Sequence, residues 1–399
     1  FTLVILRERR HATVRIPRGK EEERLIKPTN KTHGRRFTMN YKDTYMWKEI
    51  SETERAIADF NAVNAKTIAE VVADTEKHGV KNVCLAGRGT SDHALFYFKY
   101  LVEIMSEYTA GYVAPSVVTM YDGKVNFAGN LVLGCSQSGY AADVIAVIER
   151  ANEQGAVTVA ITNDTESPLA KAAKYHIYLN AGKEISVAAT KTFSVQLYAM
   201  LNLACELAHR DDLTAKYAGL SEKIAKFFKE ANEFTDADAD RLKTMKDGFC
   251  LARGLAYPIA FEGGLKLQEP CYIRMRGYAM SDFYHGPMAM VDEGTHVFVY
   301  APEYTGVSAD LAAAHVADVK RCMDKLTSLK ADVTLITDSK AYGEYAGAAH
   351  IDEFASFGDE KIAMFAFALY AQMLACKISC AIGNNPDSPK SLNKVTVTR

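Results

Sequence analysis

Glu262, Lys266 and Glu269 stand four and three residues apart in the segment AFEGGLKLQEP. That spacing stacks side chains on one face of an α-helix. The flanking residues are largely apolar (Tyr257, Pro258, Ile259, Ala260, Phe261, Leu265, Leu267), so a carboxylate here is expected to be partly buried. Burial raises a carboxyl pKa toward the value a general base needs. The same spacing also describes an ordinary surface ion-pair ladder. Pro270 ends or kinks the segment. His285 carries the imidazole suited to proton transfer near neutral pH. It precedes Gly286-Pro287, which places it on a constrained loop, a setting equally open to a structural histidine. The other nine histidines lack such a setting, although His93 lies close to the first loop described next.

Three segments have the composition of an anion site. They are Gly87-Arg88-Gly89-Thr90-Ser91, Ser136-Gln137-Ser138-Gly139 and Ala189-Thr190-Lys191-Thr192. The first two each follow a predicted strand and open a helix. Helix N-termini offer unpaired N–H groups and the positive end of the dipole. Small hydroxyl residues allow close approach and add donors. In an open parallel sheet such loops gather at the carboxyl edge, where ligands bind. Ser and Thr also cap helices without binding anything. Two such loops in one βαβ unit favour a phosphate held by Gly89, Thr90, Ser91, Ser136, Gln137 and Ser138.

The elements that must position these residues read as alternating strands and helices. Asn82–Gly87, Leu131–Ser136, Ala156–Asn163 and Tyr175–Asn180 are apolar runs of strand length, and Ala142–Asn152 has helical spacing between two of them. Strands apolar on both faces imply a parallel sheet covered by helices. A helix then presents Tyr217, Leu220, Ile224, Phe227, Phe228 and Ala231 on one face. The acidic run Thr235–Asp240 after it is expected to be the domain connection. Alternation resumes at Gly248, Val297–Ala301 and Val333–Asp338, with a closing helix near Lys361–Ile382. CLAGRGTS at Cys84 resembles CLARGLA at Cys250, which suggests two copies of one αβα unit. The second copy has Ala301-Pro302-Glu303 where the first has its serine loop, so only the first is expected to bind phosphate. The resulting division is a basic extension (1–38), a helical lead-in (39–72), a first α/β unit (73–210), a helical linker (211–243), a second unit (244–384) and a tail (385–399).

Composition bounds this reading. The chain has 399 residues, 48% hydrophobic and 24% charged, enough for about two domains. A net charge of −2 advertises no affinity for nucleic acid or an anionic membrane. No apolar run is expected to reach the ~18–20 residues of a membrane span. The eight cysteines show no CxxC pairing and read as reduced, mostly buried thiols of a cytoplasmic protein. Residues 1–38 carry a net +7. That suits a basic arm for nucleic acid, but without interleaved aromatics the segment is expected to be a disordered extension, with Met39 as the natural start.

Six segments together resemble a known family: GRGTSDHA, CSQSGYAAD, AGKEISVAATKTF, FEGGLKLQE, YAMSDFYHGPMAMVD and NPDSPKSLNKVTVT. In order, from about Ala58 to Arg399, they follow the pattern of the isomerase half of glucosamine-6-phosphate synthase. The resemblance implies an α/β fold of two tandem sugar-isomerase (SIS) domains, each a flavodoxin-like three-layer unit with a central parallel sheet, in a homodimer. It implies a hexose 6-phosphate held by Ser91, Ser136, Gln137 and Ser138, with the backbone near Val187 and Ala188 touching the sugar. It assigns proton transfer to Glu269 and ring opening to His285 reaching over from the partner subunit. Glu262 and Lys266 would support the site, and Lys394 would line it and form a transient imine. No metal or organic cofactor is implied.

The departures matter for function. The family's synthases carry an N-terminal glutaminase with a Cys nucleophile, whereas the first cysteine here is Cys84, so ammonia release from glutamine by that route is not expected. Tyr140-Ala141 stands where the pattern has Glu-Thr, which removes a hydroxyl. SVAATKTF and DFYHGP look like the deaminase-like group of stand-alone double-SIS enzymes. The resemblance thus implies an amino-sugar 6-phosphate deaminase/isomerase. A fructosamine-6-phosphate deglycase and a glutaminase-less isomerase related to glutamine–fructose-6-phosphate transaminase are the alternatives. A non-catalytic sugar-phosphate sensor is disfavoured by retention of Glu269, Lys266, His285 and Lys394.

Overall fold

Runs of Val, Ile, Leu and Ala without a polar face pack only where both faces of a sheet are covered, and the chain builds two such sheets. The computed structural model describes residues 39–343, 345, 347 and 349–394, all in one unit. The basic segment 1–38, with its expected disorder, lies outside the described residues. The first sheet comprises β1 (Asn82–Ala86), β2 (Thr109–Tyr112), β3 (Asn130–Cys135), β4 (Val157–Thr162) and β5 (Tyr175–Tyr178). Its order is β2-β1-β3-β4-β5, and every pairing is parallel. The second comprises β6 (Asp247–Ala252), β7 (Arg274–Ala279), β8 (His296–Ala301), β9 (Asp332–Thr337) and β10 (Ala349–Glu353). Its order, β10-β9-β8-β6-β7, is the same topology, again wholly parallel. This is the architecture expected of two tandem SIS units.

The sequence reading missed β2, β7 and β10, three of the four edge strands. An edge strand is covered less completely, so its apolar signal is thin: β2 buries only Ala110, and β10 only Asp352. The acidic run Thr235–Asp240 lies in the segment between the two sheets and is not a wholly exposed stretch. It forms the last turns of the helix Leu220–Leu242, and its Thr235 and Asp238 are buried.

The two units share one core. The helices Lys191–Leu207 and Glu360–Ala381 are buried on nearly all sides and meet where the Tyr198 and Phe365 rings lie 6.3 Å apart. The second helix corrects the expectation about apolar runs. By length and composition it could cross a membrane, yet it is wholly buried within the fold. Its buried lysine is satisfied there: Lys377 donates to the Asn232 carbonyl at 2.7 Å and to Thr235 at 2.8 Å. Of the eight free cysteines, seven are buried and Cys84 is partly exposed.

Helix Leu220–Leu242, β10 and the closing helix meet at a buried polar cluster. Tyr370 donates to Asp238 and, at 2.6 Å, to Asp352. Arg241 donates to Asp238 and Asp332 at 2.8 and 2.9 Å, and His350 Nε2 lies 3.1 Å from Asp352. Burial, and then the neighbouring Asp238 carboxylate, push the Asp352 carboxyl up to about 8. An ordinary Asp titrates near ~3.9, so between these values the folded chain holds a proton that the unfolded chain has released. Stability contributed here therefore falls as pH rises from about 4 to about 8. Asp352→Asn, which cannot ionise, is expected to flatten that slope. Urea unfolding at about pH 5.5 and pH 8.5 reads it, and a slope as steep as wild type contradicts the assignment.

Candidate active site

The order β2-β1-β3 creates a switch point. The helix after β1 (Thr90–Met105) packs in the core on one face of the sheet, and the helix after β3 (Ala142–Glu153) packs on the other. A crevice opens between the two loops at the carboxyl ends of these strands. The loop after β1 turns through Gly89 at φ +54°, and the loop after β3 through Gly139 at φ +71°. The second loop is tied down by its own backbone: the Ser136 amide donates to the Ile161 carbonyl, and the Gly139 amide to Ser136. A Cβ on Gly139 would lie 2.2 Å from Ser167 Oγ. Gly139→Ala combines that clash with an unfavourable φ, and should cost about 1–3 kcal/mol. Because Ser138 would move with the loop, weaker binding of the sugar phosphate expected from the sequence should accompany the lowered unfolding midpoint. Wild-type affinity in this variant would detach the loop from the site.

The crevice is a cleft of about 340 Å³. Gly89, Thr90 and Ser91 line it from the first loop, and Ser136, Gln137 and Ser138 from the second. Val187 and Ala189 line another side, whereas Ala188 is buried. Gln196 also reaches the cleft, donating to Ser91 Oγ at 2.9 Å. Its own Oε1 is buried without a partner among the described residues. Among the described residues Glu269 is the one carboxylate lining the cleft, and the tail residues Leu392, Asn393 and Lys394 line it too.

The helix Tyr257–Gln268 ends just before Glu269, as Pro270 requires, yet the expected face survives. Lys266 Nζ lies 3.3 Å from Glu262 and 2.5 Å from Glu269. It also donates to the Ala189 carbonyl at 3.2 Å. Glu262 and Lys266 are fully buried, and the Glu269 side chain is about one-fifth exposed, so the surface-ladder alternative fails. His93 Nδ1 lies 2.7 Å from the second Glu262 oxygen, and Thr90 donates to the first at 3.2 Å. Burial would lower the Lys266 pKa, but the Glu262 and Glu269 carboxylates outweigh it and hold it above its ordinary value. Burial would likewise raise Glu262, but Lys266 and then His93 hold it below the usual carboxylate range.

The tail is locked by residues that the sequence reading did not single out. Buried Glu184 accepts from Lys394 at 2.6 Å and from Thr192 Oγ1 at 2.7 Å. Lys394, with the other groups outweighing burial, holds Glu184 below the usual range. Lys394 also donates to the Ser186 carbonyl at 2.8 Å. Asp387 accepts from the Tyr45 and Met46 amides, while its carbonyl takes the Val187 amide at 3.0 Å. Glu49 caps the same loop by accepting from Ser186. Glu184 lies inside the quoted segment AGKEISVAATKTF. Gln196, in mid-helix, carried no local signal. His285 is not among the residues lining the cleft; it sits exposed on its loop.

In the second sheet, Arg253-Gly254 and Ala301-Pro302-Glu303 follow the equivalent strands, without the hydroxyl loops of the first.

Comparison with known proteins agrees with this geometry. The SIS domain family model matches residues 78–205. The glutamine–fructose-6-phosphate aminotransferase (isomerizing) of Sulfolobus acidocaldarius is 30% identical over 359 residues, 89% of this chain and 56% of that protein. The chain spans a little over half the length of the curated relatives it matches. The C-terminal domain of glucosamine-fructose-6-phosphate aminotransferase from Francisella tularensis has a TM-score of 0.74 at 25% identity, covering 87% of this chain and 98% of that one. Glucosamine-6-phosphate deaminase from Thermotoga maritima shares the fold, with a TM-score of 0.69 at 22% identity over 89% of this chain and 100% of its own.

Proposed function

We propose that this chain, whose residues 78–205 match the SIS domain family, is an amino-sugar 6-phosphate deaminase/isomerase. It opens the ring of glucosamine 6-phosphate and moves a proton between carbons 2 and 1. The resulting imine is hydrolysed to fructose 6-phosphate and ammonia. The observation that carries the reading is the single carboxylate among the described residues of the cleft, Glu269, held 2.5 Å from buried Lys266 and facing two hydroxyl-rich loops.

In this scheme Ser91, Ser136, Gln137 and Ser138 bind the phosphate. Glu269 removes the proton from carbon 2 and returns it to carbon 1, as one carboxylate can. Lys266 stabilises its charge and, through Glu262, fixes its position. Lys394 lines the sugar subsite and is placed to form a transient imine. His285 assists ring opening from the partner subunit of a homodimer, consistent with its exposed position outside the cleft of its own chain.

The test is to mix the purified protein with glucosamine 6-phosphate and assay ammonia and fructose 6-phosphate together. Appearance of both in equal amounts supports the reading. A folded dimer that releases neither sinks it. Ala141 brings no hydroxyl to the cleft wall, which favours a deglycase as the second reading. Release of glucose 6-phosphate and an amine from fructosamine 6-phosphates identifies that case.

A further inference from the structure

Resting on the reading above, we propose that Arg88 is the cation that recognises the phosphoryl group and that buried Asp143 holds it for this task. A phosphate monoester carries about 1.5–2 negative charges at neutral pH. Apart from Arg88, the two loops meet it with hydroxyls, amides and helix N-termini, all without net charge. Among the described residues, the cations lining the cleft are Arg88 and Lys394. Lys394 is engaged on the tail side by Glu184 and the Ser186 carbonyl, at 2.6 and 2.8 Å. Lys266, behind the wall, is taken by Glu262 and Glu269.

Arg88 occupies the phosphate end. It immediately precedes Gly89, and its Nε donates to Asp143 Oδ2 at 2.7 Å. Asp143 stands in the first turn of the helix that the Ser136–Gly139 loop opens, so the ion pair bridges the two loops. Asp143 is 3% exposed and Arg88 50% exposed. The bond engages the Nε edge of the guanidinium and leaves the terminal edge for a second, bidentate acceptor, the geometry phosphate prefers. A purely structural role explains less. Asp143 already profits from the helix dipole at its position, and a half-exposed partner adds little. Ala141, between Ser138 and Asp143, brings no hydroxyl, so a charge does the work there.

The test uses calorimetric binding of glucosamine 6-phosphate and of inorganic phosphate, with steady-state kinetics in parallel. Arg88→Gln is expected to weaken both ligands about 10- to 100-fold, the loss of a charge-assisted bond. KM should rise by a similar factor while kcat stays within about threefold. Arg88→Lys should recover part of the affinity, because the charge returns without the fork. The double variant Arg88→Gln/Asp143→Asn removes the buried charge together with the cation, and it should fold well and bind as weakly as Arg88→Gln. Wild-type phosphate affinity in either folded variant overturns the proposal, as does a wild-type protein that binds neither ligand. A wild-type protein that turns over no sugar phosphate but binds phosphate through Arg88 overturns the reaction assigned above and leaves this site standing.

Discussion

Glu269→Gln should lower kcat for release of ammonia and fructose 6-phosphate by about 10²- to 10⁴-fold, the usual worth of a positioned general base. Gln keeps the size and one carbonyl acceptor of Glu, so Lys266 Nζ, now 2.5 Å from Glu269 Oε2, retains a hydrogen-bond partner. The amide cannot take a proton from carbon. Because the phosphate loops are untouched, KM should move by no more than about threefold, the pattern of a group that acts in the transition state. Unfolding should also change little, since the Glu269 side chain is partly exposed. A sugar-phosphate sensor would bind as before and show no turnover to lose. Full activity in this variant removes Glu269 from the chemistry and returns attention to Lys394 and His285.

Lys266→Met should be the most destabilising single change at the site. Lys266 and Glu262 are both fully buried. A buried charge stripped of its partner costs several kcal/mol, whereas the intact pair contributes much less net stability. Glu262 keeps His93 at 2.7 Å and Thr90 at 3.2 Å, which blunts the loss, so about 3 kcal/mol is expected from urea unfolding. The double variant Glu262→Gln/Lys266→Met removes the stranded charge and should recover much of that stability. With Glu262→Gln alone as the remaining corner, the double-mutant cycle gives the coupling energy of the pair. Activity should not recover with stability, because Glu269 has lost its cation. A single variant as stable as wild type would show that water reaches Glu262, in conflict with its burial. Recovery of both stability and activity in the double variant would leave Lys266 a packing role only.

Much of this architecture was legible because its causes are local. The inner strands β1, β3, β4, β6, β8 and β9 are apolar on both faces and announce themselves over five or six residues. The spacing of Glu262, Lys266 and Glu269 encodes one helical face wherever that helix sits. Gly89 and Gly139 mark tight turns whose hydroxyl residues are their near neighbours in the chain. The edge strands β2, β7 and β10 escaped because fewer neighbours cover them, and the buried Asp238 looked like surface because its partners Tyr370 and Asp352 are more than a hundred residues away.

What composition and spacing determined, then, was the kind of chemistry: hydroxyl-rich loops at strand ends and a carboxylate–lysine–carboxylate face. Tertiary structure alone decided which of those groups meet. Lys394 pairs with Glu184 across 210 positions of sequence, and Thr90 with Glu262 across 172. It separated buried Glu262 from cleft-lining Glu269, two acids of one helical face whose roles differ only through exposure. It also set His285 outside the cleft of its own chain. The physical reason is the range of the forces. Helix periodicity and turn preference act over a few residues, whereas desolvation and ion pairing depend on neighbours that only the folded chain brings together.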